Sequence, residues 1–213
     1  NTAIGYQALT AITTGGGNVA VGHQAMDAAD GTEEYNIAIG HSAMGAFDEN
    51  GNAGNENIAI GRDALKGGAC DGNTTGNIAI GHQAMDATST NAQIGTIAIG
   101  KSALGALTSG GHNTAIGYNS MLKLTTGAEN VAIGKLSMEE ADGGESYNVA
   151  IGYHAMGDVD HDDSDSNVAI GGSALAGGDA AVKNCVAIGY NALDHTAGNA
   201  QDGTVAIGKG ALT

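Results

Sequence analysis

The chain contains no proline, no tryptophan and a single phenylalanine among its 213 residues. Large aromatic side chains dominate the cores of most globular domains, so their scarcity argues against one compact core. The apolar runs are also far too short for a membrane-spanning helix, and no secretory signal is recognisable. We therefore expect neither an ordinary globular enzyme nor direct insertion into a membrane.

Basic side chains are scarce as well: seven Lys and Arg face 23 Asp and Glu, for a formal net charge of −16. Nucleic acid and anionic membranes both need positive charge, so neither is expected as a partner. All acidic residues except Asp63 lie between the repeats described below. This arrangement predicts a solvated, self-repelling surface that keeps a long assembly soluble.

Cysteine is limited to Cys70 and Cys185, which are separated by six repeat intervals. If each interval is one coil of about 4.8 Å, the two residues lie roughly 30 Å apart. A disulfide requires Cα atoms within about 7 Å, so we predict no bond between them. Cys185 is expected to be a small, semi-buried packing residue, and neither cysteine has a metal-binding spacing.

What the chain does have is one nine-residue phrase repeated twelve times. The phrase reads Asn, a β-branched residue, Ala, Ile or Val, Gly, two variable residues, Ala or Ser, and Leu or Met. Successive phrase glycines are 17 to 21 residues apart. Such a period predicts one repeat domain over residues 1–213, and because the pattern runs to both ends we expect a fragment of a longer fibre. The phrases occupy residues 1–9, 18–26, 36–44, 57–65, 77–85, 96–104, 113–121, 130–138, 148–156, 167–175, 185–193 and 204–212.

The phrase predicts an all-β parallel β-roll (solenoid) of about twelve coils, with two short strands in each coil. A β-branched–Ala–β-branched triplet favours a strand, the Gly permits a bend, and the Ala/Ser–Leu/Met pair predicts a second strand. The first phrase position is Asn in nine copies, which predicts a ladder of stacked Asn side chains. Thr96 and Thr204 retain a hydroxyl for part of this role, whereas Cys185 suits it poorly.

Lateral association is expected because each coil offers only about three sizeable apolar side chains, too few to offset the ordering of 17 to 21 residues. The small Ala face is the surface on which we expect sister chains to meet, in a parallel homotrimer. Substitution of Ala132 by Leu should then disrupt assembly more than substitution of the linker residue Gly127 by Ser.

The phrases at 1–9 and 113–121, together with Asn-Val-Ala-Ile-Gly at 130–134, 148–152 and 167–171, resemble the YadA-like head repeats of trimeric autotransporter adhesins. They are still more similar to the repeats of bacteriophage tail fibre proteins, whose longer linkers fit the 17- to 21-residue period better. The resemblance covers the whole chain. It implies a left-handed parallel β-roll, a tight parallel homotrimer, and an extracellular fibre on a virion or cell surface that attaches to a host.

The strongest charge cluster lies at residues 158–166, where Asp158, Asp160 and Asp162 alternate as in an acidic calcium-binding loop. The sixth position is Asp163 rather than Gly, and the twelfth is Ala169 rather than Glu, so the segment is not an EF-hand loop. Calcium at these three aspartates is one interpretation. A solvated acidic loop is the other.

Planar and basic side chains recur at the residue after the phrase Gly, including His23, His41 and His82. In a trimer, three copies of one His could meet a metal ion on the axis. The same row could instead be a stacked surface ladder, or could bind a glycan or protein receptor.

We find no nucleophile elbow, phosphate-binding loop or Cys–His pair, so an enzyme is not expected, and neither is an organic cofactor. The leading hypothesis is a structural segment of an attachment fibre. An ice- or glycan-binding β-solenoid and a tailspike-type polysaccharide hydrolase with paired carboxylates remain as alternatives.

Overall fold

A computed structural model describes residues 1–29, 31–46, 54–67, 74–87, 93–159, 161–178, 180–194 and 200–213. Over these ranges the chain is a parallel β-solenoid made of short strands and turns, without helix, which confirms the all-β expectation. Correspondingly, none of the described segments forms a helix with the length and hydrophobicity needed to cross a bilayer.

Every phrase begins with one three-residue strand, and these strands form a single twelve-stranded parallel sheet in chain order. A smaller two-stranded parallel sheet pairs two linker segments, β11 with β13. The strands are β1 (Thr2–Ile4), β2 (Val19–Val21), β3 (Ile37–Ile39), β4 (Ile58–Ile60), β5 (Ile78–Ile80), β6 (Ile97–Ile99), β7 (Thr114–Ile116), β8 (Val131–Ile133), β9 (Val149–Ile151), β10 (Val168–Ile170), β11 (Val182–Lys183), β12 (Val186–Ile188), β13 (Gln201–Asp202) and β14 (Val205–Ile207).

The register of the large sheet places each phrase position directly over the same position in the next coil. Ala115 of β7 pairs with Ala132 of β8, which pairs with Ala150 of β9. The β-branched residues pair in the same way, so one column of the sheet holds only Ala and the other two hold only Thr, Val or Ile. Such columns follow from the invariant phrase, because linkers of different length are accommodated outside the strands.

The prediction of a second strand in each coil is wrong. Phrase positions seven and nine adopt left-handed backbone conformations, as in Gln24 (φ 54°) and Met26 (φ 50°). Extended strands require negative φ, so this segment is a turn. It still stacks: the Gln24 N–H donates to Tyr6 O in the preceding coil at 2.8 Å, and the Met26 N–H donates to Ala43 O in the following coil at 3.0 Å.

The core lies between the strand alanines and the last phrase residue. Ala132 and its neighbours Ala115 and Ala150 are fully buried within one chain, as are Met121 and Met156. The expectation that the Ala face meets sister chains is therefore wrong. The Ala side chains point into a narrow coil interior that Leu and Met already fill, and a second molecule has no access to them.

The phrase glycines form a column in which backbones touch. Gly117 has φ 145°, and a Cβ atom there would lie 2.2 Å from the carbonyl oxygen of Gly134 in the next coil. Both the conformation and the space exclude a side chain. This close approach is what lets successive strands pair without an offset.

Candidate functional site

The outward side of the large sheet is an apolar face formed by the second and fourth phrase residues, which we call the β-branched face. In every strand these two residues are Thr, Val or Ile. They are half-buried or exposed, in contrast to the buried Ala between them. Ile133 and Ile170 remain 36% and 37% exposed even within the stack, and Ile207 is 66% exposed. The two rows therefore present a continuous apolar surface with no charged side chain.

Behind the sheet, the first phrase residues form the expected ladder of buried Asn side chains. Asn36 Oδ1 accepts the backbone N–H of Asn57 at 2.9 Å and the Asn57 side-chain amide at 3.2 Å. Asn36 Nδ2 donates to Gly54 O at 2.6 Å. Each Asn thus satisfies one backbone donor and one backbone acceptor of the following coil, which fixes the vertical spacing of the stack. The ladder comprises two segments, Asn1–Asn18–Asn36–Asn57–Asn77 and Asn113–Asn130–Asn148–Asn167.

Thr96 and Cys185 end the two ladder segments. The Thr96 N–H still donates to Asn77 Oδ1 at 2.9 Å, but its own Oγ1 is buried and has no hydrogen-bond partner in the described part of the chain. The Cys185 N–H donates to Asn167 Oδ1 at 3.0 Å, and its thiol donates to Lys183 O at 3.1 Å. Cys185 is fully buried rather than semi-buried, whereas Cys70 lies outside the described residues.

Surface rings stack in the row that follows the phrase glycines. Tyr6 lies over His23 with ring centroids 5.2 Å apart, and His23 lies over His41 at 4.9 Å with an interplanar angle of 3°. The rings thus contact one another along the stack, and His41 Nδ1 also lies 3.1 Å from the Ser42 hydroxyl oxygen. This geometry matches the surface-ladder interpretation of the row, whereas the metal interpretation depends on copies from other chains.

Farther along the same row, cations alternate with tyrosines. Lys135 Nζ lies 5.9 Å from the ring centroid of Tyr118 and 5.8 Å from that of Tyr153, and Lys101 Nζ lies 5.7 Å from Tyr118. Cation–π attraction accounts for the alternation. Tyr118 and Tyr153 remain exposed, so this strip offers planar and basic groups to an external ligand on an otherwise acidic molecule.

The three aspartates suggested as calcium ligands have different surroundings. Asp158 lies beside His154, with 3.4 Å between its Oδ1 and Nε2 of the imidazole. Asp160 lies outside the described residues. Asp162 approaches two acidic residues of the preceding linker, Asp142 and Glu145.

Asp142, Glu145 and Asp162 form what we call the acidic triad. One carboxylate oxygen from each of the three lies within 4.8 Å of the other two. Asp142 and Asp162 are exposed, whereas Glu145 is fully buried. Gly143 makes the approach possible, because a Cβ atom there would lie within 1.8 Å of Asp162 Oδ1. The missing side chain leaves the room that the Asp162 carboxylate occupies.

Only one of the two carboxylate oxygens of Glu145 has a hydrogen-bond partner among the described residues. Its Oε2 accepts the N–H of Gly143 at 3.1 Å, while its Oε1 is buried and has no hydrogen-bond partner among the described residues. Burial raises the pKa of the Glu145 carboxyl, and the negative charges of Asp142 and Asp162 add to the rise. Hydrogen bonds from backbone N–H groups, including that of Gly143, act in the opposite direction.

Sequence reasoning missed Asp142 and Glu145. Glu145 stands three residues before the phrase Asn148. Polar residues at that linker position are buried in several other coils, as at Thr74, Gln93 and Ser164. Because Gly, Thr, Gln, Glu, Ser and Val all occur there, no apolar pattern marks the position as buried. The sequence feature that could have identified these two residues is the run Asp-Gly-Gly-Glu at 142–145, which ends three residues before the phrase Asn148.

A surface pocket of about 240 Å³ is lined by Gln24, Asp27, Ser42 and Lys66, among others. Glycoside hydrolysis ordinarily needs two carboxyl groups across the scissile bond. Among the described residues that line this pocket, Asp27 is the one carboxylate, so these residues do not include such a pair.

Comparisons with protein-family models, with curated proteins and with solved structures give no match for this chain.

Proposed function

We propose that this chain is a structural segment of an extracellular fibre, on a virion or a cell surface, that assembles as a parallel homotrimer and takes part in attachment to a host cell or surface. The observation that carries the proposal is the β-branched face: two rows of Thr, Val and Ile that run along all twelve strands of the sheet and remain partly exposed.

An apolar surface of this length is unusual on a monomeric protein. Soluble monomers rarely expose contiguous apolar patches larger than a few hundred Å², and larger ones commonly mark interfaces. Complete burial of a Val or Ile side chain contributes roughly 1.5–3 kcal/mol. Because both rows repeat in every coil, even partial burial in each coil gives a large summed driving force for association.

A second copy of the same chain suits this face best. The columns of β-branched residues repeat at strand spacing, so the same face on another copy has the matching period at every coil. The acidic linkers, with most of the −16 net charge, repel one another and leave the uncharged face as the favourable surface for contact. Cyclic three-fold closure covers the face on every copy, and the resemblance to trimeric fibre repeats supports that number.

The strip of Lys101, Tyr118, Lys135 and Tyr153 supports a role in contact with a receptor. Tyrosine rings pack against sugar faces, and lysines attract acidic groups, so a glycan or an acidic protein surface is the class of ligand that fits. The strip lies on exposed side chains and does not depend on the apolar face.

The molar mass in solution tests assembly. Light scattering after size-exclusion chromatography is expected to give three times the 20.8 kDa mass of one chain. Ile116→Asp, which places a charge in the middle of the β-branched face, should shift the mass to that of one chain while the strand signal in circular dichroism remains. Tyr118→Asp, two residues away on an exposed side chain, is the matched control and should leave the trimer intact.

A wild-type mass of 20.8 kDa at micromolar concentration would overturn the proposed assembly. So would a trimer that tolerates Ile116→Asp as well as it tolerates Tyr118→Asp, since the contact surface would then lie elsewhere.

A further inference from the structure

We propose that Asp142, Glu145 and Asp162 bind one calcium ion, which joins the linkers of two consecutive coils. Asp142 and Glu145 belong to the linker after β8, and Asp162 belongs to the linker after β9. This site is independent of the β-branched face and of how many chains assemble.

The spacing of the three carboxylates suits calcium. Calcium takes oxygen ligands at about 2.3–2.6 Å, so two ligands of one ion stand up to about 5 Å apart. One carboxylate oxygen from each residue of the triad lies within 4.8 Å of the other two, so all three can be ligands of one such ion. Magnesium requires a near-ideal octahedron, whereas calcium accepts the less regular arrangement that three carboxylates from two linkers provide.

Glu145 supplies the independent reason to place a cation here. A buried carboxylate oxygen without a hydrogen-bond partner is costly, and most buried polar atoms in proteins do have partners. Glu145 is fully buried and its Oε1 has none among the described residues. The charged groups that act on it most are two further carboxylates. A divalent cation among the three provides the missing partner and cancels the repulsion.

The backbone around Gly143 holds the triad in place. The Gly143 N–H orients the Glu145 side chain through Oε2, and the absent Gly143 side chain makes room for the Asp162 carboxylate. The Gly143 carbonyl is occupied elsewhere, because it accepts the N–H of Thr126 in the preceding coil at 3.0 Å. The loop is thus anchored on one side by the stack and presents its carboxylates on the other.

The chain contains its own matched control. The run Asp30-Gly31-Thr32-Glu33 repeats the pattern of residues 142–145, and Glu33 is likewise buried and accepts the Gly31 N–H at 3.1 Å. In sequence, the residue that corresponds to Asp162 is there Asn52, five positions before the next phrase Asn. Asp30 and Asn52 lie outside the described residues. The sequence position that corresponds to Asp162 therefore carries an amide in place of a carboxylate.

The site is tested by calorimetric titration of the chelator-treated chain with calcium chloride. The buffer contains 150 mM sodium chloride, which screens diffuse binding of calcium to the acidic surface. Wild type should show one saturable calcium site per chain and a calcium-dependent rise in melting temperature. Glu145→Gln and Asp162→Asn should weaken that site at least tenfold and abolish the rise. Glu33→Gln should retain both.

Gly143→Ala separates ligation from folding, since it keeps all three carboxylates and displaces Asp162 with one methyl group. It should also weaken calcium binding at least tenfold, with the circular dichroism spectrum of the calcium-free protein unchanged. Absence of a saturable site in wild type, or equal calcium affinity in wild type and Glu145→Gln, would overturn the proposal.

Discussion

The two sides of the same three-residue strand differ in what surrounds them. In β8, the inward Ala132 is fully buried beneath identical residues of the neighbouring coils, whereas the outward Ile133 remains 36% exposed. The smaller side chain is thus inside and the larger one outside, contrary to the usual distribution in globular domains.

The coil geometry explains the reversal. A solenoid coil of this width has little room between its strand and the turn opposite, and Leu or Met at phrase position nine fills it. The inward strand position must then be small. Residue size inside the coil is set by the available space, whereas the outward position is not limited in this way.

The largest loss of stability is expected at the column of phrase glycines, where the backbones of successive coils touch. Gly117→Ala forces a side chain into a φ of 145° and against the Gly134 carbonyl at 2.2 Å. We expect a loss of about 3 kcal/mol or more in unfolding free energy, measured from the denaturant midpoint of the strand signal. Gly16→Ala is the control, because no atom lies within 4 Å of the Cβ position there. Equal midpoints for the two variants would contradict the close-contact explanation.

The next largest effect on stability is expected from substitutions on the inward and outward faces of one strand. Ala132→Leu adds three carbon atoms to a filled interior and should cost about 1–3 kcal/mol through overpacking. Ile133→Leu, on the outward side of the same strand, conserves volume and should cost less than about 1 kcal/mol. Thermal melts of both variants measure the difference. If Ile133→Leu proved the more damaging change, the inward and outward assignments would have to be exchanged.

The smallest expected effect is a gain in stability. Thr96→Asn should rejoin the two segments of the Asn ladder, with Asn77 below and Asn113 above, and replaces a hydroxyl that is buried without a partner among the residues described. We expect about 1 kcal/mol of added stability, the usual net contribution of one hydrogen bond. Slower amide exchange at residues 96 and 113 would show that the ladder closes. Lower stability would mean that an Asn side chain does not fit at this coil.

The outcome for Gly127 shows where sequence reasoning is weakest. As a linker residue it is expected to tolerate Ser better than Ala132 tolerates Leu, yet a Cβ atom there would lie 2.1 Å from the Glu145 carbonyl oxygen. Linker lengths vary along the chain, but particular linker positions pack as tightly as the phrase. Which positions do so depends on the register of neighbouring coils, and composition does not reveal it.

The strand and the ladder were predictable because they depend on residues one coil apart that are identical in type. The second strand was predicted wrongly, since left-handed φ values at residues such as Gln24 and Met26 have no signature in ordinary side chains. Stacking stabilises those conformations through hydrogen bonds to the adjacent coils. The acidic triad was only partly predicted: Asp162 belongs to the suggested set, while Asp142 and Glu145 join it from another linker.

By itself, the sequence determined the repeat, the parallel stacking of like residues, the Asn ladder and the acidic surface, because each follows from a pattern that recurs coil after coil. Only the tertiary structure decided which strand face points inward, that the second segment is a turn, and which carboxylates from different linkers meet. These features depend on the width of the coil and on contacts between linkers of unequal length, and neither is encoded in the period of the phrase.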